Sequence, residues 1–174
     1  MWRLALLLLS LLASSFLPAR TSLLDSLHAA LASAADEADQ LPVLSAICVA
    51  YSTNGTDSAV AYCQRTIALA HRLEAPEAVV EAAIDLGRWH HKKSQYQKAL
   101  VLYHKAARIA EAISLTDLKA SAYKNLAIAH QRMSQPDSAY FYWNKAEAAF
   151  QRAGSSAELW KVYLGLFQLF NEKK

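Results

Sequence analysis

"KALVLYHKA" (Lys98–Ala106) is followed forty residues later by "SAYFYWNKA" (Ser138–Ala146), with small and aromatic residues in the same slots. Aligning the chain at that period puts Ala59, Ala99 and Ala139 in one column. Cys63, Tyr103 and Trp143 form a second, and Thr66, Ala106 and Ala146 a third. Steps of four and then three residues mark one face of a helix. Upstream, Leu86, Gly87 and His90 match Leu126, Ala127 and His130, and a partial unit continues with Tyr163, Leu166, Phe167 and Phe170. A small-and-aromatic face that recurs at a fixed interval is best buried by the neighbouring copy of itself, so the pattern predicts stacked helical hairpins.

Composition agrees. Of 174 residues 54% are apolar, enough for one domain with a real core, and only four Gly and four Pro interrupt the chain. Few backbone breakers among many Ala and Leu favour helices over strands. Boundary chemistry predicts helices over 22–39, 41–51, 57–73, 77–93, 95–113, 117–132, 137–153 and 156–171. Ser22/Asp25, Ser94/Gln97 and Ser155/Glu158 have capping-box spacing, Asp57 and Asp137 sit where caps are needed, and Pro42 and Pro76 suit first turns. Gly154 is placed to close a helix in the left-handed conformation.

These residues resemble the tetratricopeptide repeat (TPR), whose pattern is W-x2-L-G-x2-Y, then A-x3-F, A and P. The unit from about Val80 matches best, through Leu86-Gly87, Ala99, Tyr103 and Ala106. Three departures stand out: a period of forty rather than thirty-four, His at His90 and His130 in place of Tyr, and no Pro closing the units. The resemblance implies an all-α helix-turn-helix solenoid of TPR-like units, period about 40, with right-handed superhelical stacking. Gly87, Ala99, Tyr103, Ala106, Ala139, Trp143 and Ala146 would be its inter-repeat packing residues. At a finer level the layout, with "SLLDSL" and then "DSA" at Asp57 and Asp137, resembles the exported N-terminal TPR region of Bacteroidetes-type sensor kinases and regulators.

At the N-terminus, Arg3 precedes an apolar run from Leu4 to Leu12 and then small residues, the layout of a Sec-type signal peptide. Cleavage after Ser15 and after Ala19 both remain open. The alternative, an uncleaved anchor, has an apolar stretch of about fourteen residues where roughly 20 are needed to span a bilayer. The expected organisation is a signal peptide over 1–19, a capping helix over 20–40, and repeats over about 41–75, 76–115, 116–154 and 155–174. The location is then periplasmic or membrane-associated. After export, Cys48 and Cys63 would meet oxidising conditions, as a disulfide or as two small buried thiols.

Six histidines raise a metal or catalytic reading, yet no H-E-x-x-H and no glycine-rich phosphate loop occurs. His90 and His130 occupy one structural slot in successive units, so interhelical packing is expected there rather than ligation. No cofactor, metal, catalytic residue or nucleic-acid partner is assigned. What remains is a surface. In the TPR family the first helix of each unit lines a concave groove, and the matching face here carries Arg88, His91, Lys92, Lys124, Gln131, Arg132 and Lys161. That stripe suits a protein or peptide partner with an acidic or C-terminal segment; ordinary solvated charge is the alternative. The Lys/Asn carboxylate clamp of some TPR domains is not reproduced, because Ile128 follows Lys124 and Asn125 where a polar group is wanted. Finally, Trp160, Tyr163, Phe167 and Phe170 make the last helix too apolar for a bare solenoid end, predicting self-association or continuation of the array.

Overall fold

The computed structural model describes residues 18–171, with side chains from Leu23. Among the described residues there are eight helices and no strand: α1 (Pro18–Ser33), α2 (Glu37–Asn54), α3 (Ser58–Arg72), α4 (Pro76–Lys92), α5 (Tyr96–Ala112), α6 (Thr116–Arg132), α7 (Pro136–Ala153) and α8 (Ser156–Asn171). Each packs on its successor. In addition α2 touches α4, α4 touches α6 and α6 touches α8, whereas α3, α5 and α7 make no such contacts. An inner row of first helices and an outer row of second helices follow directly. This is the expected solenoid, with its forty-residue hairpin period.

The three sequence columns are its core. Ala59, Ala99, Ala139, Cys63, Tyr103, Trp143, Thr66, Ala106 and Ala146 are all buried. Alanine at the crossings lets helix axes approach, and the central column fills the space that remains. Tyr103 lies over Gly87 of its own hairpin, where an added Cβ would collide with the ring. It also clusters with Leu126 and Ala129 of the next inner helix. Trp143 instead reaches forward, over Gly165 of α8. In the first hairpin the same column holds Cys63, bonded to Cys48 with the Cα atoms 4.8 Å apart.

Helix ends follow a different rule from the one expected. Glu74, Ser94, Ser114, Ser134 and Gly154 stand twenty residues apart, and all have φ between 51° and 71°. At each, the next residue's N–H returns to a carbonyl five residues back: Ala75 to Ala70, Gln95 to His90, Leu115 to Ala110, Gln135 to His130 and Ser155 to Phe150. This pairing and the left-handed residue define a Schellman close. Ser94 therefore ends α4 rather than capping α5, whose N-cap is Gln95 with no side-chain cap bond. Asp137 lies in the first turn of α7. Asp57 is at the N-cap of α3 but makes no cap bond, and its carboxylate lies 2.9 Å from Lys93 Nζ.

The first inner helix also starts earlier than predicted. Asp36 accepts a hydrogen bond from the Asp39 N–H at 2.8 Å, so α2 begins at Glu37 and Pro42 lies inside it. A proline close to a helix start forfeits only one bond of the ladder, which the cap and the acidic first turn help offset. Ser22 falls within α1 rather than at its start. The signal-peptide reading of 1–19 lies outside the described residues apart from Pro18 and Ala19. No described helix is long and apolar enough to cross a membrane.

Candidate functional site

The inner row carries a groove of about 320 Å³ between α2, α4 and α6. Ser45 and Val49 form one wall; Glu81, Asp85 and Arg88 the floor; Ser121, Lys124 and Asn125 the other wall. Ser45, Asp85 and Asn125 are forty residues apart, one register of three successive inner helices.

The electrostatics are more balanced than a count of cations suggests. Asp85 is buried and ion-paired with Arg88. Burial pushes its carboxyl above the ordinary range, and the Arg88 charge and hydrogen bond pull partly back. Glu81 is raised as well, first by burial and then by Glu77 and Asp85. On the far wall Lys124 is paired with Glu158, which Lys161 also holds. Burial alone would raise Glu158, but the hydrogen bonds from the two lysines outweigh it and hold the carboxyl low. Asn125 donates its side-chain N–H to the Ser121 carbonyl at 2.8 Å, which orients its amide in the groove.

The predicted groove residues thus separate into three groups. Arg88 and Lys124 line this groove. Gln131, Arg132 and Lys161 line a second hollow of about 270 Å³ between α6 and α8, with Ile128 and Leu164. Lys92 and His91 lie in neither: Lys92 donates to the Thr53 carbonyl at the end of α2, and His91 packs edge-on against Tyr96. Sequence reasoning selected mainly by positive charge, passed over Glu81, Asp85 and Ser121, and weighed Asn125 only as part of a carboxylate clamp. The signal that would have found them is the forty-residue register of Ser45, Asp85 and Asn125.

The histidines do other work. His90 and His130 each face a glutamine across the following turn, and His130 stacks on Tyr142 with ring centroids 5.3 Å apart. His104 meets the same Tyr142 edge-on. No cluster of three or more His, Cys, Asp or Glu suited to a metal ion occurs among the described residues.

A family model described as the SusR N-terminal TPR domain matches residues 13–108, more than half of the chain. The chain belongs to this family. Solved structures with similar TPR folds include BtubC (BKLC) from P. vanneervenii, at TM-score 0.76 and 20% identity over 89% of this chain and 67% of that one. Another is aspartyl phosphate phosphatase F from Bacillus subtilis, at TM-score 0.76 and 18% identity over 80% of this chain and 37% of that one. At such identities the likeness is one of fold. No curated protein matches significantly by sequence. The TPR fold is a helical scaffold for protein interaction, and this chain has its inner row and its groove.

Proposed function

We propose that the protein is a non-enzymatic, exported TPR scaffold that holds a peptide segment of a partner protein along α2, α4 and α6. The observation that carries this reading is the continuous groove across three inner helices, with an oriented amide at Asn125 beside a charge-paired floor. Backbone amides of a bound segment suit Asn125, Ser121 and Ser45. Carboxylates suit Arg88, whose side chain is half exposed, and Arg132 and Lys161 in the adjoining hollow. Export is supported by Arg3 followed by the apolar run Leu4–Leu12, and by the Cys48–Cys63 bond, a pairing typical of oxidising compartments.

Panning a display library of acidic and neutral peptides on the protein tests the groove. Asn125→Ala and Arg132→Gln should each reduce capture of acidic peptides without changing far-ultraviolet circular dichroism. Undiminished capture by Asn125→Ala would rule the groove out, and by Arg132→Gln the adjoining hollow. Arg88 is a poor probe, because Arg88→Glu would leave Asp85 buried against a like charge.

The match to an N-terminal TPR domain supports a second reading, in which the groove is the extracytoplasmic sensory part of a two-component histidine kinase or a transcriptional regulator. A membrane helix and kinase encoded in continuation of the same reading frame would favour it.

A further inference from the structure

The exposed side chains of α8 fall at defined positions of the repeat. Trp160, Tyr163 and Phe167 are 58%, 48% and 63% exposed. Forty residues earlier those positions hold Ala120, Tyr123 and Ala127; eighty earlier, Val80, Ala83 and Gly87. In α6, Ala120 and Ala127 are buried in one cluster with Ala139, Trp143 and Ala146 of α7. In α4, Val80 and Ala83 are buried with Ala106, Ala107 and Ala110 of α5. The open face of α8 is therefore the one that an inner helix gives to its own outer helix.

Its residue sizes are wrong for that partner. In the α4–α5 hairpin the inner helix offers Val80, Ala83 and Gly87 here, and the outer helix supplies the ring, Tyr103 over Gly87; in α6–α7 a single ring, Tyr123, stands between Ala120 and Ala127. On α8 all three positions carry rings on the inner helix itself. An outer helix in the usual register would be held off at every turn. A row of knobs with spaces between them is instead complementary to the same row reversed, which is the condition for an isologous contact. The patch also continues onto α7, where Phe170 packs edge-on against Tyr140. The charge within it, Lys161, is already paired with Glu158.

We propose that α8 is a dimerisation surface whose occupant is a second copy of this chain, its α8 antiparallel to the first. Trp160, Tyr163, Leu164, Phe167 and Phe170 each expose about half of a side chain whose full burial is about 150–250 Å² for the aromatics. Those side chains alone cover roughly 1,000 Å² over two copies, and with their rim they reach the 1,200–2,000 Å² of a stable interface. The face is separate from the α2–α4–α6 groove and meets only the edge of the adjoining α6–α8 hollow, at Lys161 and Leu164, so this inference does not depend on peptide binding in the groove.

Sedimentation-velocity centrifugation of the full 174-residue chain and of Phe167→Glu, across about 1–100 µM, tests it. The wild type should be dimeric, and Phe167→Glu should weaken association roughly 30-fold or more with unchanged helical content. Phe167 is exposed, so the substitution leaves the fold of a single chain intact. A wild-type chain monomeric over the whole range would overturn the proposal and assign the face to a following helix or another protein. Association that survives Phe167→Glu would overturn it as well.

Discussion

His130 Nδ1 lies 2.7 Å from Gln135 Oε1 across the turn from α6 to α7, and His90 Nδ1 lies 2.7 Å from Gln95 Oε1 across the turn from α4 to α5. The same pairs share a backbone bond, from the glutamine N–H to the histidine carbonyl, at 2.9 and 3.0 Å. Each turn is thus closed twice, once by backbone and once by side chain. With the amide oxygen accepting, Nδ1 carries the proton, which fixes the tautomer of both rings. Gln135→Ala and Gln95→Ala should each cost about 0.5–1.5 kcal/mol in urea unfolding, the net worth of one hydrogen bond. A double-mutant cycle with His130→Ala isolates the contact. Strictly additive losses would mean that the two side chains are not coupled.

The left-handed residues give a prediction of opposite sign. Ser94, Ser114 and Ser134 occupy backbone conformations that disfavour a Cβ, at φ of 58°, 60° and 56°, where the equivalent turn at Gly154 uses glycine. Replacing each serine by glycine relieves that strain but adds freedom to the unfolded chain. A net gain of about 0.5–1 kcal/mol is expected for each, with a matching loss for Gly154→Ser. Thermal unfolding of the four variants measures it. Serine-to-glycine variants less stable than the parent would contradict this account of the turns.

The same turns show why the fold was legible in the sequence while its boundaries were less so. The columns through Ala99, Tyr103 and Ala106 identify the solenoid because they are fixed by packing between copies, which repeats by necessity. Ser94 reads as a cap because serine favours caps on average. Here the close is made by backbone conformation and carbonyl acceptors, which leave only a twenty-residue spacing from Glu74 through three serines to Gly154. At α2 the proline rule favoured a start at Pro42, and the Asp36 cap with its acidic first turn outweighed it. The candidate site was half legible for a similar reason. Arg88 and Lys124 announce themselves by charge; the pairing of Arg88 with Asp85, three residues before it on α4, is local, whereas that of Lys124 with Glu158, thirty-four residues away, is a product of tertiary packing.

Two glycines carry rings rather than turns. Gly87 and Gly165 are helical, and a methyl group on either would strike Tyr103 or Trp143. Alanine improves helix propensity by about 0.8–1.0 kcal/mol. Overpacking costs about 1–3 kcal/mol, so Gly87→Ala and Gly165→Ala should both destabilise. Removing the ring removes the conflict, so Tyr103→Leu and Gly87→Ala together should lose less than the sum of their separate losses, with a coupling of about 0.5–3 kcal/mol. Additive losses in denaturant titration would show that ring and glycine do not compete for the same space.

Stability should also depend on pH through two partly covered histidines. His91 is held below its ordinary value of 6.5, first by burial and then by Arg132. His104 is held below 6.5 by burial, then by His130 and Lys145. A group whose folded pKa is depressed in this way binds its proton more tightly in the unfolded chain, so protonation favours unfolding. The contribution is fully present above 6.5 and is lost as pH falls from there towards the folded values. Glu81 and Asp85, both raised by burial, act in the opposite sense as pH falls through their raised folded values, so the comparison with His104→Gln is what isolates the histidine contribution. The melting temperature should therefore decline from pH 7.5 to pH 5.5, and His104→Gln should make that decline shallower. An unchanged slope in His104→Gln would remove His104 from the explanation, and a melting temperature that rises on acidification through this window would reverse its sign.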